Sequence, residues 1–280
     1  MRAFRVAYDG RPFYGFQRQP SVPTVEDTLF DALRRLGALD EDAAKPAGYA
    51  AAGRTDAGVS ALAQTVAFDC PEWCSPRALN SELPGHVRAW AAADVPADFH
   101  ATHHAVRRRY TYHLYAPEPE TNSLDGRDAV DDERVRTALA ALCGEHDFHN
   151  LTPDDTGTVR DLTADLHRDG DFLVVHVESG GFARELVRRL VSLVNAVGSG
   201  AAPVDKVERV LGPEPIDGPE GVPPAPATPL VLTGVDYPDV TFDRDEAAVE
   251  STRAVFGEQA VDGRVQGRVA DELLAGIGRE

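Results

Sequence analysis

The run Gly53-Arg54-Thr55-Asp56-Ala57-Gly58 constrains this chain more than any other feature. It stands between a small apolar stretch at 48–52 and residues 63–69, where Val66 and Phe68 alternate with Thr65 and Ala67 at the period of a strand. A glycine at each end lets the backbone take positive φ or come close to a ligand. The segment reads as a Gly-bounded loop feeding a strand, which puts Asp56 at a sheet end, a common address for active-site groups. Arg54 and Asp56 are two residues apart and bring opposite charges to one bend. A carboxylate beside a guanidinium stays ionised, as a nucleophile must. The plain alternative is a surface turn with an incidental ion pair.

Around this loop the chain alternates strand and helix patterns. Residues 1–8 form a strand with Phe4, Val6 and Tyr8 on one face. Residues 13–20 form a loop dense in aromatic and hydrogen-bonding side chains. Thr24 caps the next helix with Asp27 at the capping-box position, Val25, Leu29, Leu33 and Leu36 make its apolar stripe, and Gly37 ends it. A short helix from Ser75-Pro76 to Leu83 and a strand at 87–95 follow. Next comes a strand in which Tyr110 and Tyr112 share a face. A helix at 131–142 turns Val135, Leu139 and Leu142 inward. Residues 159–168 and 172–179 form a hairpin about Asp169-Gly170. Gly180-Gly181-Phe182 opens a long helix carrying Arg184, Arg188 and Arg189. A connection at 116–129, a short helix at 205–211, a proline-rich loop at 212–229 and a strand at 229–237 complete the pattern. The acidic tail reads as two solvated helices. The order is α+β in two similar halves, 1–100 and 101–240, with a tail at 241–280. No βαβ run carries G-x-G-x-x-G, which excludes a dinucleotide fold.

Composition narrows the setting. The net charge is −18, and only Lys45 and Lys206 are lysines, so 26 of the 28 basic residues are arginine. An acidic, lysine-poor surface on a normally hydrophobic chain fits a salt-rich cytoplasm, where salt screens the self-repulsion. No apolar run approaches the ~20 residues of a membrane span, and the N-terminus has no signal-peptide core, so a cytoplasmic protein with no membrane partner is expected. Cys70, Cys74 and Cys143 are too few for a disulfide framework or a two-knuckle zinc site. His100, His103 and His104 cluster, but His103 and His104 point to opposite faces of an extended strand, and no metal is expected. Such acidity weighs against nucleic acid unless arginines gather locally. Arg107-Arg108-Arg109 beside Tyr110 and Tyr112 reads as a phosphate and base contact, since a ring on a sheet face can stack on a splayed base. Gln64 either reaches substrate or faces solvent.

The run Gly53–Gly58 with Val59 closely resembles the active-site motif of the TruA-type tRNA pseudouridine synthases. Tyr8-Asp9-Gly10 followed by Tyr14-Gly15-Phe16-Gln17 is similar to that family's opening pattern, and on that likeness the 13–20 loop faces RNA. Phe99-His100-Ala101 with Arg108-Arg109-Tyr110 resembles its second motif, with Thr102 where the family has arginine. Phe182–Arg188 resembles its helix motif, with Arg184-Glu185 at a variant pair. Residues 227–237 match its final strand, and Ser60 stands where the family has histidine. The resemblance implies two ferredoxin-like halves forming one continuous antiparallel sheet around a central RNA-binding cleft, usually in a homodimer. It implies isomerisation of uridine to pseudouridine in tRNA, at positions 38–40 of the anticodon arm, with no cofactor. Asp56 is then the nucleophile, and Arg188 reaches it. Tyr110 stacks on the target uracil and stands where it can accept the C5 proton. Arg54 fills the gap left by the flipped base or binds phosphate. The alternatives are a non-catalytic RNA-binding module on the same fold and a carboxylate hydrolase using Asp56 and Asp69.

Overall fold

The computed structural model describes residues 1–117, 129–216 and 218–277; most of the connection expected at 116–129 lies outside them. The strands are β1 (Arg2–Tyr8), β2 (Ala50–Ala51), β3 (Ser60–Phe68), β4 (Val87–Asp94), β5 (Arg107–Tyr115), β6 (Gly144–Asp147), β7 (Val159–Asp169), β8 (Phe172–Ser179), β9 (Leu230–Asp236) and β10 (Asp243–Arg244). The helices are α1 (Val25–Arg35), α2 (Pro76–Asn80), α3 (Asp132–Ala141), α4 (Leu186–Gly198), α5 (Lys206–Leu211) and α6 (Glu246–Ile277). One sheet runs β10-β4-β1-β3-β9-β5-β8-β7-β6, with β2 paired to β3.

Local chemistry accounts for most of these elements. The Thr24 hydroxyl accepts from the Asp27 N–H at 3.2 Å and donates to the Asp27 carboxylate at 2.7 Å, closing the first turn of α1. Gly37, at φ 69°, stops it. Leu29, Phe30 and Leu33 of α1 then share a core with Phe4, Val6 and Tyr8 of β1. A second core holds Leu186, Leu190, Val191 and Val194 of α4 with Tyr112, Val175 and Val177. Helices thus pack against the sheet in both cores, the layered arrangement that lets amphipathic elements bury their apolar sides.

The sheet is mostly antiparallel rather than wholly so. β3 and β9, near the middle of the sheet, run parallel through Ser60–Val231 and Ala61–Leu232. Both strands enter at the end of the sheet where Asp56 sits, so their directions match. Past those two pairs Arg5 spans the join, donating to the Val235 carbonyl at 2.5 Å, the Thr65 hydroxyl at 2.8 Å and the Ala63 carbonyl at 3.2 Å.

Three further expectations are corrected, and one strand is added. The long helix starts at Leu186 and not at Gly180, because Glu185 takes φ 62° and no α-helix propagates through a left-handed residue; Arg184 lies before it. Residues 101–104 form a turn and not an extended strand, so His103 and His104 are not on opposite faces of a sheet. β6 was not foreseen, since Glu145-His146-Asp147 offers no apolar alternation. The tail is a single helix of 32 residues preceded by β10, which pairs with β4. Gly257, Gly263, Gly267 and Gly276 interrupt its apolar pattern in sequence yet sit within the helix, with open space around each. Only Ala248 and Val249 of α6 are buried.

Candidate active site

Asp56 sits in the loop between β2 and β3, and that loop is held from several sides. The Thr55 hydroxyl is 2.8 Å from the buried Tyr8 hydroxyl, and the Thr55 carbonyl accepts from the Phe16 N–H at 3.0 Å. The Gly58 N–H donates to the Phe13 carbonyl at 3.2 Å, and Gly58 takes φ 82°, a conformation that favours glycine. Gln64 is buried and donates to the Gly53 carbonyl at 2.9 Å, so it braces the loop instead of facing substrate or solvent. Ser60 accepts from the Gly10 N–H at 3.0 Å. Any Cβ at Gly10 would lie 2.1 Å from the Val59 carbonyl oxygen, which explains the glycine there.

The cation on Asp56 is Arg188 and not Arg54. Arg188 Nη1 donates to Asp56 Oδ2 at 3.0 Å across 132 residues of sequence, while its Nε donates to the Ala225 carbonyl at 2.7 Å. The pair is partly enclosed, with the two side chains 16% and 35% exposed. Arg54 is exposed at the same cleft and makes no hydrogen bond or ion pair among the described residues. Tyr110, half-buried on β5, lines the cleft with Asp56 and meets Phe182 edge to face at 5.1 Å between centroids. Burial pushes the Tyr110 phenol up to about 12, opposed by Arg108 and aided by the negative charge of Asp56.

With this constellation in place, comparison with known proteins is decisive. A family model described as "tRNA pseudouridine synthase" matches residues 138–238. A protein of Haloarcula marismortui named "tRNA pseudouridine synthase A" is 58% identical over 277 residues, spanning 99% of this chain and 100% of its own. Proteins of the same name from Natronomonas pharaonis (55% identical, 99% and 98% covered) and Methanosarcina mazei (37%, 97% and 98%) also match along the chain. The chain belongs to the tRNA pseudouridine synthase family. As a tRNA pseudouridine synthase it is an isomerase that converts uridine to pseudouridine in tRNA, which sets aside the binding-only and hydrolase readings. Its acidic, lysine-poor composition fits its haloarchaeal relatives.

For a synthase carrying −18 charges to hold RNA, cations must gather locally. They do so here: the cleft, of about 1820 Å³, is lined by seven arginines and lysines against four carboxylates. Tyr14, 58% exposed, stands on its wall, while Phe13 and Phe16 of the same loop are buried anchors. The His100 and His103 rings lie 4.2 Å apart on the cleft lining. The Arg107–Arg109 run does not form the expected phosphate contact as a unit. Arg107 pairs with Glu178 at 3.0 Å and Arg109 with Asp236 at 2.7 Å, and the pleat sends both to the face opposite Arg108. Tyr112 goes to the core, its hydroxyl donating to the Pro226 carbonyl at 3.0 Å. Sequence reasoning missed Phe182 as the partner of Tyr110, although its place after two glycines marked it. It also missed Thr102, whose hydroxyl donates to the Ala51 carbonyl at 2.5 Å.

Proposed function

We propose that Asp56 is the nucleophile, that Arg188 orients its carboxylate, that Tyr110 stacks on the flipped uracil, and that Arg54 fills the vacated stack or binds phosphate. One observation carries the reading: the Arg188–Asp56 contact of 3.0 Å lies in a cation-rich cleft beside the Tyr110 ring. The isomerisation balances without a co-reactant. The C1′–N1 bond breaks, C1′ bonds to C5, C5 gives up its proton and N1 gains one. A carboxylate at this place has three routes into it: attack at C1′, attack at C6, or removal of a ribose proton. Tyr110 takes the stacking role through its ring, which lines the cleft with Asp56 and is held edge to face by Phe182.

Resemblance to the TruA-type enzymes extends the proposal to uridines 38–40 of the anticodon arm, to a cytoplasmic homodimer, and to two ferredoxin-like halves, 1–100 and 101–240, with 241–280 as an appended tail. Flipping a base costs a few kcal/mol and least where pairing is weakest, which favours a loop or stem end as target. The test is direct. Transcripts of tRNA are incubated in molar KCl with wild type and Asp56→Asn, and pseudouridine is mapped by carbodiimide-blocked primer extension. The wild type modifies the anticodon arm, and Asp56→Asn binds tRNA but forms none. Activity in the variant would sink the nucleophile assignment, and modification elsewhere in tRNA would sink the assignment of position.

A further inference from the structure

Where the chain leaves β2 and enters the Asp56 loop, the Ala52 N–H still reaches the Thr65 carbonyl at 2.8 Å, but three successive carbonyls accept from side chains. Ala51 takes the Thr102 hydroxyl, Gly53 takes the Gln64 amide, and between them Ala52 takes Arg108, through Nε at 3.2 Å and Nη2 at 2.8 Å. Arg108 does more than this. Its Nη2 also donates to the Thr102 carbonyl at 2.8 Å, and its Nη1 donates to the Gly180 carbonyl at 2.6 Å. One guanidinium therefore ties the start of the Asp56 loop, the turn between the halves and the β8–α4 connection.

The placement of these ties matters for the site. Arg108 is two residues before Tyr110 on β5, and Gly180 leads through Phe182, which packs on Tyr110, to α4 with Arg188. The Asp56 loop belongs to one half, and both of its partners belong to the other. We propose that Arg108 is a positioning residue that fixes Asp56 against Tyr110 and Arg188 by holding the carbonyls of Ala52, Thr102 and Gly180. The inference rests on Asp56 as nucleophile. A planar fork of five N–H donors suits three acceptors at fixed angles, whereas a lysine ammonium on a flexible stem does not. Because a misplacement near 1 Å costs about 10²-fold in rate, slack here is read in the chemical step.

The test uses the full chain in molar KCl with a tRNA transcript. Single-turnover rates at saturating enzyme and tRNA Kd from filter binding are measured for Arg108→Lys, Arg108→Ala and Asp56→Asn. The rate at saturation falls about 100-fold in Arg108→Ala and about tenfold or more in Arg108→Lys, with Kd within about threefold of wild type. Added methylguanidinium restores part of the Arg108→Ala rate and none in Asp56→Asn. A normal saturating rate with a Kd raised about tenfold makes Arg108 a phosphate contact and overturns the positioning role, as does a wild-type rate and Kd in Arg108→Lys. If Arg108→Ala does not fold, Arg108→Lys alone decides by the same criteria. An active Asp56→Asn enzyme overturns the nucleophile assignment and this inference with it. An inactive one beside a fully active Arg108→Lys overturns this inference only.

Discussion

Replacing Arg188 by alanine removes the charge 3.0 Å from Asp56 and leaves the Ala225 carbonyl without that donor. Two unit charges at this distance interact by roughly 5.5 kcal/mol at an effective dielectric of 20 and roughly 1.4 kcal/mol in bulk water. With Asp56 35% exposed and Arg188 16% exposed, the pair sits between those limits and is strong enough to fix the carboxylate in place, and freeing it to misplace by near 1 Å raises the barrier by about 2–3 kcal/mol. That corresponds to a rate lower by about 30- to 150-fold. The loss belongs to the chemical step, since the contact orients the nucleophile and not the tRNA. Arg188→Lys keeps the charge but cannot serve Asp56 and Ala225 together, and it falls between wild type and Arg188→Ala. The assay is single turnover at saturating enzyme in molar KCl, with pseudouridine read by carbodiimide primer extension. Free ions at that strength screen over about 3 Å and weaken a partly enclosed pair only in part. A saturating rate for Arg188→Ala within about threefold of wild type, with weakened tRNA binding, would refute the reasoning and make Arg188 an RNA contact.

Other outcomes follow from the same geometry. Tyr110→Phe keeps activity within about threefold, while Tyr110→Ala loses about 5- to 150-fold, because base–aromatic stacking is worth about 1–3 kcal/mol and the ring supplies it. Burial holds Tyr110 and Tyr237 up to about 12 in the folded chain, so between the ordinary tyrosine value and 12 the unfolded state releases protons that the folded state keeps. Stability is therefore complete below about pH 10 and falls above it, by up to ~1.4 kcal/mol per pH unit for each group; a melting temperature flat from pH 9 to 11 would contradict this. Ending the chain after Gln259 removes only exposed side chains of α6, and calorimetry in molar KCl should show a shift of less than about 2 °C.

How far the sequence carried depended on how local the cause was. The Thr24 cap, the Gly37 stop and the Asp169-Gly170 hairpin are set within a few residues, and each stands where the sequence puts it. The start of α4 was misplaced because nothing in Phe182-Ala183-Arg184-Glu185 marks Glu185 for the left-handed region. The glycines of the tail broke a pattern without breaking the helix, since glycine costs only about 1 kcal/mol at each position. Of the proposed site, Asp56, Tyr110 and Arg188 were legible through motif likeness, but the role proposed for Arg108 was not. An arginine run looks the same in sequence whether its guanidinium groups face phosphate, carboxylates or backbone carbonyls. The parallel pairing of β3 with β9 was equally invisible, because it depends on where two distant segments enter the sheet.

That pairing gives the enzyme a timetable. Synthesis delivers Asp56 first, then Tyr110, then Arg188, then β9, and only afterwards β10 and the buried turn of α6 that cover β4. Until β9 emerges, the start of β3 around Ser60 and Ala61 lacks its partner strand, while β2 covers Val66 and Ala67. Contacts so far apart in sequence form late, since loop closure must precede them. A ribosome stalled before β9 therefore carries Asp56, Tyr110 and Arg188, yet exposes the unpaired start of β3, the kind of edge that templates aggregation. Chemistry and solubility arrive together, at the same two residue pairs.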